Sequence, residues 1–265
     1  MRPAFRYFGC KQRIADEIWR RLGDPAHYFE PFAGSLATLL ARPTLAKHEY
    51  VGDTDCMIAN FFRAAKNAPA KVALHAEYPP SSIDLKGRIR WLEGRRKTLE
   101  HDLLSDPEYF DAKCAGWYAW MQSVRVHNGN SVCLGTKAGV CRPGESTHGY
   151  FARLAERLQN VTIYHGDWGR LARAALRLCR ASLCAALLDP PYKIACRDIY
   201  HHGSKKVCGP VKRWAVAAAS PKLRIALCGY EGDYDMPKDW TEIPWKGRFV
   251  GQRERIWFSP HCLDG

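Results

Sequence analysis

Leu183-Cys184-Ala185-Ala186-Leu187-Leu188-Asp189-Pro190-Pro191-Tyr192 is the stretch from which the fold can be read. The apolar run before Asp189 is short and uninterrupted, as expected of a strand buried on both faces of a sheet. The prolines stop it, because neither can donate to a strand ladder. The chain beyond the strand is loop, and two consecutive prolines leave it few backbone conformations. The Asp189 carboxylate, the Pro190 carbonyl with no N–H on Pro191 beside it, and the Tyr192 ring are therefore presented in nearly fixed relation. An acidic turn closing a strand is the plain alternative, since Asp and Pro are both favoured in turns.

Outward from this point the chain alternates strand and helix. His27 to Phe32 reads as a short aromatic strand, Ser35 to Arg42 as a helix ended by Pro43, and His48 to Gly52 as a second strand. Asp55 to Asn67 places Met57, Ile58, Phe61 and Phe62 at helical spacing, a core-facing pattern. Ile14 to Leu22 is a further helix. Alternation resumes with a strand at Val161 to His165, a helix at Arg170 to Arg180 and the strand ending at Asp189. A helix near Gly209 to Ala219 and strands at Leu223 to Cys228 and Arg255 to Phe258 complete the series. Such alternation specifies an α/β fold with a mostly parallel sheet and helices on both faces. It breaks between residues 68 and 160, where Pro79-Pro80 open a linker, Leu85 to Leu104 and Pro107 to Val124 read as helices, and Arg125 to Gly149 is a glycine-rich loop. The expected organisation is a catalytic domain of residues 1–67 and 161–265 with an inserted, mainly helical region at 68–160.

Lys and Arg total 40 against 27 Asp and Glu, a net charge of +13, which favours a polyanionic partner. The 11 cysteines form no C-x-x-C pair, and no early apolar segment marks secretion, so they read as reduced packing thiols and the expected compartment is the cytoplasm, that of the host if the chain is viral. Cysteine-based methylation of a ring carbon needs a Pro-Cys nucleophile loop, and Cys141 near Pro143 lacks that order. No apolar stretch approaches membrane-spanning length.

The presented groups suit a planar amine. The exocyclic amino group of a nucleobase is a poor nucleophile because its lone pair is delocalised. If Asp189 and the Pro190 carbonyl each accept one N–H, that lone pair is aimed at an incoming methyl, and the charge developing on nitrogen is stabilised. Pro191 stiffens the loop, and Tyr192 would stack on a base that has left its duplex. A donor site is expected where the first strand turns into its helix, at Glu30-Pro31-Phe32-Ala33-Gly34-Ser35. Asp53, followed by Thr54, ends the second strand and could take both hydroxyls of a ribose. Asp167, beside Trp168, could accept from an adenine amino group. Tyr7-Phe8-Gly9-Cys10-Lys11 precedes a helix, and Lys11 could neutralise a cofactor carboxylate.

Together these residues resemble the α group of DNA adenine-N6 methyltransferases, in its phage and prophage branch. Tyr7 to Lys11 is similar to that family's W-x-G-G-K segment, Glu30 to Ser35 to its E-P-F-x-G-x-G cofactor loop, Asp53 to its ribose-binding acid and Asp189 to Tyr192 to its D-P-P-Y loop. Arg224 to Gly232 and Arg253 to Cys262 resemble the tail of that branch. The resemblance implies a Rossmann-like class I methyltransferase sheet, S-adenosyl-L-methionine as donor, and adenine N6 in double-stranded DNA as acceptor. It implies a target-recognition role for the insertion. Cys10 and Leu36 depart from it, each standing where the family has Gly.

Arg90, Trp91 and Arg96 lie on the first inserted helix among Lys86, Arg88, Arg95 and Lys97, a basic stripe suited to phosphates or to plain solvation. Asn128, Asn130, Lys137 and Arg142 in the glycine-rich loop can reach base edges. Lys193 and Arg197 follow the catalytic loop and could order over a flipped nucleotide. A monomer or weak dimer is expected, and a restriction partner is left open. The competing readings are an RNA or cytosine-N4 methyltransferase, and a catalytically silent DNA-binding protein of the same fold.

Overall fold

A computed structural model describes residues 1–7, 9–44, 48–125, 140, 145–192, 207–246 and 253–264. Its centre is a seven-stranded sheet comprising β1 (His27–Glu30), β2 (His48–Asp53), β3 (Val161–His165), β4 (Cys184–Leu188), β5 (Leu223–Tyr230), β6 (Thr241–Lys246) and β7 (Arg253–Phe258). The spatial order is β3-β2-β1-β4-β5-β7-β6. The first five strands run parallel, β7 is antiparallel to β5, and β6 is antiparallel to β7.

Period-2 alternation divides the strand residues between two cores. Tyr28, Ala185, Leu187, Ala226 and Cys228 face one side. Phe29, Cys184, Ala186, Leu188, Ile225 and Leu227 face the other. Every residue of β4 is buried, which explains its uninterrupted apolar reading.

The helices are α1 (Ala15–Leu22), α2 (Ala37–Leu40), α3 (Cys56–Asn67), α4 (Pro69–Ala76), α5 (Ser82–Ser105), α6 (Ala112–Val124), α7 (Thr147–Arg157), α8 (Gly169–Leu178) and α9 (Cys208–Ala218). α8 and α9 cover one face of the sheet through Leu171, Ala175, Val211 and Ala215. α1 and α3 cover the other through Ile18, Leu22, Phe61 and Phe62. This is the doubly wound, Rossmann-like α/β architecture that the alternation specifies.

Between residues 68 and 160 the chain folds back onto α3. α4 packs on α6 and α7, and α5 and α6 pack on α3. Leu85, Leu92, Leu99, Trp120 and Phe151 share one continuous core with α3 and the sheet. Local capping explains the helix starts: Asp55, Ser81, Asp111 and Ser146 each accept a backbone N–H from the first turn of α3, α5, α6 and α7. The helix expected from Pro107 therefore begins only at Ala112, after Asp111.

Four other expectations differ. α4 begins at Pro69, where the missing N–H costs nothing in a first helical turn. α7 occupies part of the segment expected as loop, with Gly149 donating to Ser146 Oγ at 2.9 Å. β6 contains Pro244, tolerated because this strand is at the sheet edge. The helix expected over Ser35 to Arg42 contracts to α2 because Leu36 takes the left-handed conformation, φ 55°.

Candidate active site

The strand order reverses between β1 and β4, whose crossovers leave in opposite directions, and the loops after these strands border the crevice typical of ligand sites in open sheets. A cleft lies at this edge, bordered by the ends of β1, β2, β3 and β4 and by the N-terminal segment.

From the β1 loop, Glu30, Phe32, Ala33, Gly34 and Ser35 line the cleft, while Pro31 is buried behind them. Gly34 is required by its backbone, φ 48°, and by crowding: an added Cβ would lie 2.8 Å from the Tyr7 ring. Its N–H donates to Asp53 Oδ2 at 3.0 Å, and Asp55 N–H donates to Asp53 Oδ1 at 2.9 Å. Both carboxylate oxygens retain a lone pair for a ligand hydroxyl. Burial pushes the Asp53 carboxyl up to about 7, against these amide bonds. Glu30 accepts from the Tyr28 hydroxyl at 3.0 Å, and burial, reinforced by the charges of Asp189 and Glu49, pushes it up to about 8.

Thr54 lines the cleft after β2, and Asp167 and Trp168 do so after β3. Asp167 Oδ1 accepts from Gly169 N–H at 2.8 Å, which opens α8. The Trp168 ring is near parallel to Phe32, centroids 6.3 Å apart, and meets Trp214 edge-on behind.

The N-terminal segment closes the cleft with Tyr7, Gly9 and Lys11. Lys11 is 3% exposed, and its Nζ donates to Gly9 O and to Asp189 Oδ2, both at 2.6 Å. Burial alone would discharge this ammonium. The charge of Asp189, reinforced by Glu254 and by the hydrogen bond to Asp189, outweighs it and holds the lysine above its ordinary range. Lys11 thus lines the cleft while pairing with the Asp189 carboxylate.

Asp189 and Pro191 line the cleft, while Pro190 is buried. Tyr192 requires a correction. Its ring is 2% exposed and packs edge-on to Tyr230, centroids 4.6 Å apart, and its hydroxyl donates to Asp189 Oδ1 at 2.8 Å. The phenol thus orients the carboxylate from behind and offers no free face for stacking.

Glu254 on β7 was not legible as a site residue from its neighbours Arg253 and Arg255. The available signal was parity: Glu254 lies on the same strand face as the buried Ile256 and Phe258. Its Oε2 is buried without a hydrogen-bond partner, 3.9 Å from Lys11 Nζ. Burial raises its pKa and Lys11 opposes that rise. Thr38, a buried lining residue whose hydroxyl has no partner, and Asp55 were also missed.

Half of the basic stripe on α5 is consumed within the fold, while Lys86, Arg90 and Lys97 stay exposed. Arg96 pairs with Asp55 at 2.6 Å, Arg95 pairs with Asp102 and Asp111, and Arg88 lies against the rings of Tyr78, Trp117 and Trp120. Trp91 packs edge-on to Trp117. Among the three named for DNA, only Arg90 is exposed. Phe8, Asn128, Asn130, Lys137, Arg142, Lys193 and Arg197 lie outside the described residues. The eight described cysteines are free thiols. Among the described residues no cluster of His, Cys, Asp and Glu could hold a metal ion, and no helix is long and apolar enough to cross a membrane.

The chain matches no family model and no curated relative. Two solved structures of the rRNA methyltransferase aviRa from Streptomyces viridochromogenes align over 98% of this chain and 88% of that chain, at 18% and 19% identity and a TM-score of 0.36 in each case.

Proposed function

We propose that this chain is a methyltransferase that uses S-adenosyl-L-methionine to methylate adenine N6 in DNA. The observation that carries the reading is the meeting, in one cleft, of Asp189 after β4 with Asp53 and Gly34 at the ends of β2 and β1. The residues fit the donor: Asp53 has spare acceptor capacity for ribose hydroxyls, Asp167 for an adenine amine, and the near-parallel Phe32 and Trp168 rings offer apolar faces at the same rim. When bound, the donor supplies a methyl group on a sulfonium.

The chain's own residues prepare the acceptor. Lys11 and Tyr192 hold the Asp189 carboxylate from two sides, and each of its oxygens retains a lone pair for an amine N–H. The Asp189 carboxylate, in contact with the amine, favours the cation that develops on it. The amine loses a proton after transfer, and Asp189, in contact with it, accepts that proton.

Incubation with isotopically labelled donor and either DNA or RNA, followed by mass analysis of the nucleosides, tests the reading. Label in N6-methyladenine from DNA is the expected result. Label in N4-methylcytosine or in RNA would replace the substrate, and no label together with no thermal protection by the donor would favour a silent DNA-binding protein.

A further inference from the structure

The arginines of α5 and α8 differ in what they face. Those of α5 are largely paired or packed inside the fold. On α8, Arg170, Arg173 and Arg177, with Arg180 just beyond its end, are all exposed, and none pairs with a carboxylate among the described residues. The Arg170 guanidinium lies over the Tyr164 ring, 4.5 Å from its centroid. No acidic residue occurs in the sequence between Asp167 and Asp189.

Spacings of three and four residues place Arg170, Arg173 and Arg177 on one narrow helix face, opposite the buried Leu171, Ala172 and Ala175, and Arg180 follows in the turn after the helix. Lys222 extends the stripe, since its Nζ donates to the Arg180 carbonyl at 3.3 Å and it is exposed. Neighbouring like charges at these spacings oppose helix formation. An anionic partner offsets that repulsion with attraction to each guanidinium. At 1.5 Å per residue the helical part of the stripe, Arg170 to Arg177, runs about 10 Å, the axial span of three to four phosphates on one strand of duplex DNA. Guanidinium groups suit phosphate oxygens because their fork can bond two at once. The helix starts immediately after Asp167 and Trp168, so the stripe leads from the rim of the cleft along the side of the sheet. The apolar face of α8 is spent on the sheet, which disfavours insertion into a lipid surface.

We propose that the exposed face of α8 is a phosphate-binding surface on which Arg170, Arg173, Arg177 and Arg180 track the backbone of duplex DNA away from the cleft. It lies apart from α5, where the sequence placed the phosphate-binding groups. A chain that bound DNA without methylating it would use this surface in the same way, so binding is measured with the full chain and no methyl donor.

Fluorescence anisotropy of a labelled duplex, titrated over a series of salt concentrations, reads the number of phosphates engaged. Replacing all four arginines by glutamine should weaken binding and reduce the slope of log affinity against log salt by about 3 to 4, near 0.9 for each phosphate no longer neutralised. The double variant R173Q/R177Q should lose about half of that, and the fourfold lysine variant should keep most of the slope. Thermal protection by the donor should match the parent in each variant. A fourfold glutamine variant with an unchanged slope would overturn the proposal. So would loss of binding to phosphatidylserine vesicles with the DNA slope intact, which would assign the stripe to a membrane.

Discussion

Lys11 Nζ and Asp189 Oδ2 lie 2.6 Å apart although 178 residues separate them in sequence. The contact ties the N-terminal segment to the loop after β4, and with Glu254 3.9 Å away it places one buried ammonium between two carboxylates. Removing one member of a buried ion cluster costs more than the cluster contributes, because the remaining charges lose their partner. Lys11→Met should lower the unfolding free energy by about 3 to 5 kcal/mol in urea titration. Adding Glu254→Gln to that variant should restore part of the loss. A parent-like midpoint for the single variant would show that the cluster is not held as described.

Leu36 is the one non-glycine residue with positive φ among the described residues, and its side chain is fully buried. Two effects compete in Leu36→Gly. Relief of backbone strain gains on the order of 1 kcal/mol, whereas loss of a buried leucine side chain costs about 3 to 5 kcal/mol. The cavity wins, and the variant should be less stable by about 2 to 4 kcal/mol. A rise in stability would mean that strain at this loop outweighs packing.

Glu30 and Asp53 sit in the folded protein at about 8 and about 7, above their ordinary values of 4.5 and 3.8, chiefly through burial. The folded state therefore binds these protons more tightly than the unfolded state. Their contribution to stability is complete below about pH 4 and is lost as pH rises through 7 and 8. Glu30→Gln and Asp53→Asn should each flatten the decline in unfolding free energy across this window. Identical pH profiles for parent and variants would sink the assignment. Donor binding that uses ionised Asp53 should tighten as pH rises through 7, read by calorimetry.

The parts of the fold that the sequence reveals are those built from local pattern. β4 is legible because all its residues are buried, and β1, β2 and β3 because each ends in a polar loop residue at the same sheet edge. The strand-end loops holding Glu30, Gly34, Asp53, Asp167 and Asp189 were legible for the same reason. Edge and contact geometry were not. Pro244 hides β6, Pro69 hides α4 and Gly149 hides the start of α7, since each residue also signals a break. Arg96 reads as a phosphate ligand until Asp55, 41 residues away, is found beside it. The burial of Tyr192 depends on Tyr230 from a neighbouring strand, and the place of Glu254 depends on Lys11 from the opposite end of the chain.

Tyr192 distinguishes stacking from positioning in a single substitution. Tyr192→Phe keeps the ring and its edge contact with Tyr230 but removes the hydroxyl that donates to Asp189 Oδ1 at 2.8 Å. If the ring's role were to stack a base, phenylalanine would serve as well, because both rings present a π face. If the role is to orient the carboxylate, a charge-assisted hydrogen bond worth about 1.5 to 3 kcal/mol is removed where the amine must bind. Methyl transfer should then fall roughly 10- to 100-fold. Thermal protection by the donor should not change, since Tyr192 is not among the residues lining the cleft. Full activity in Tyr192→Phe with loss in Tyr192→Ala would reinstate stacking, and would require the ring to leave its place against Tyr230 when the base enters.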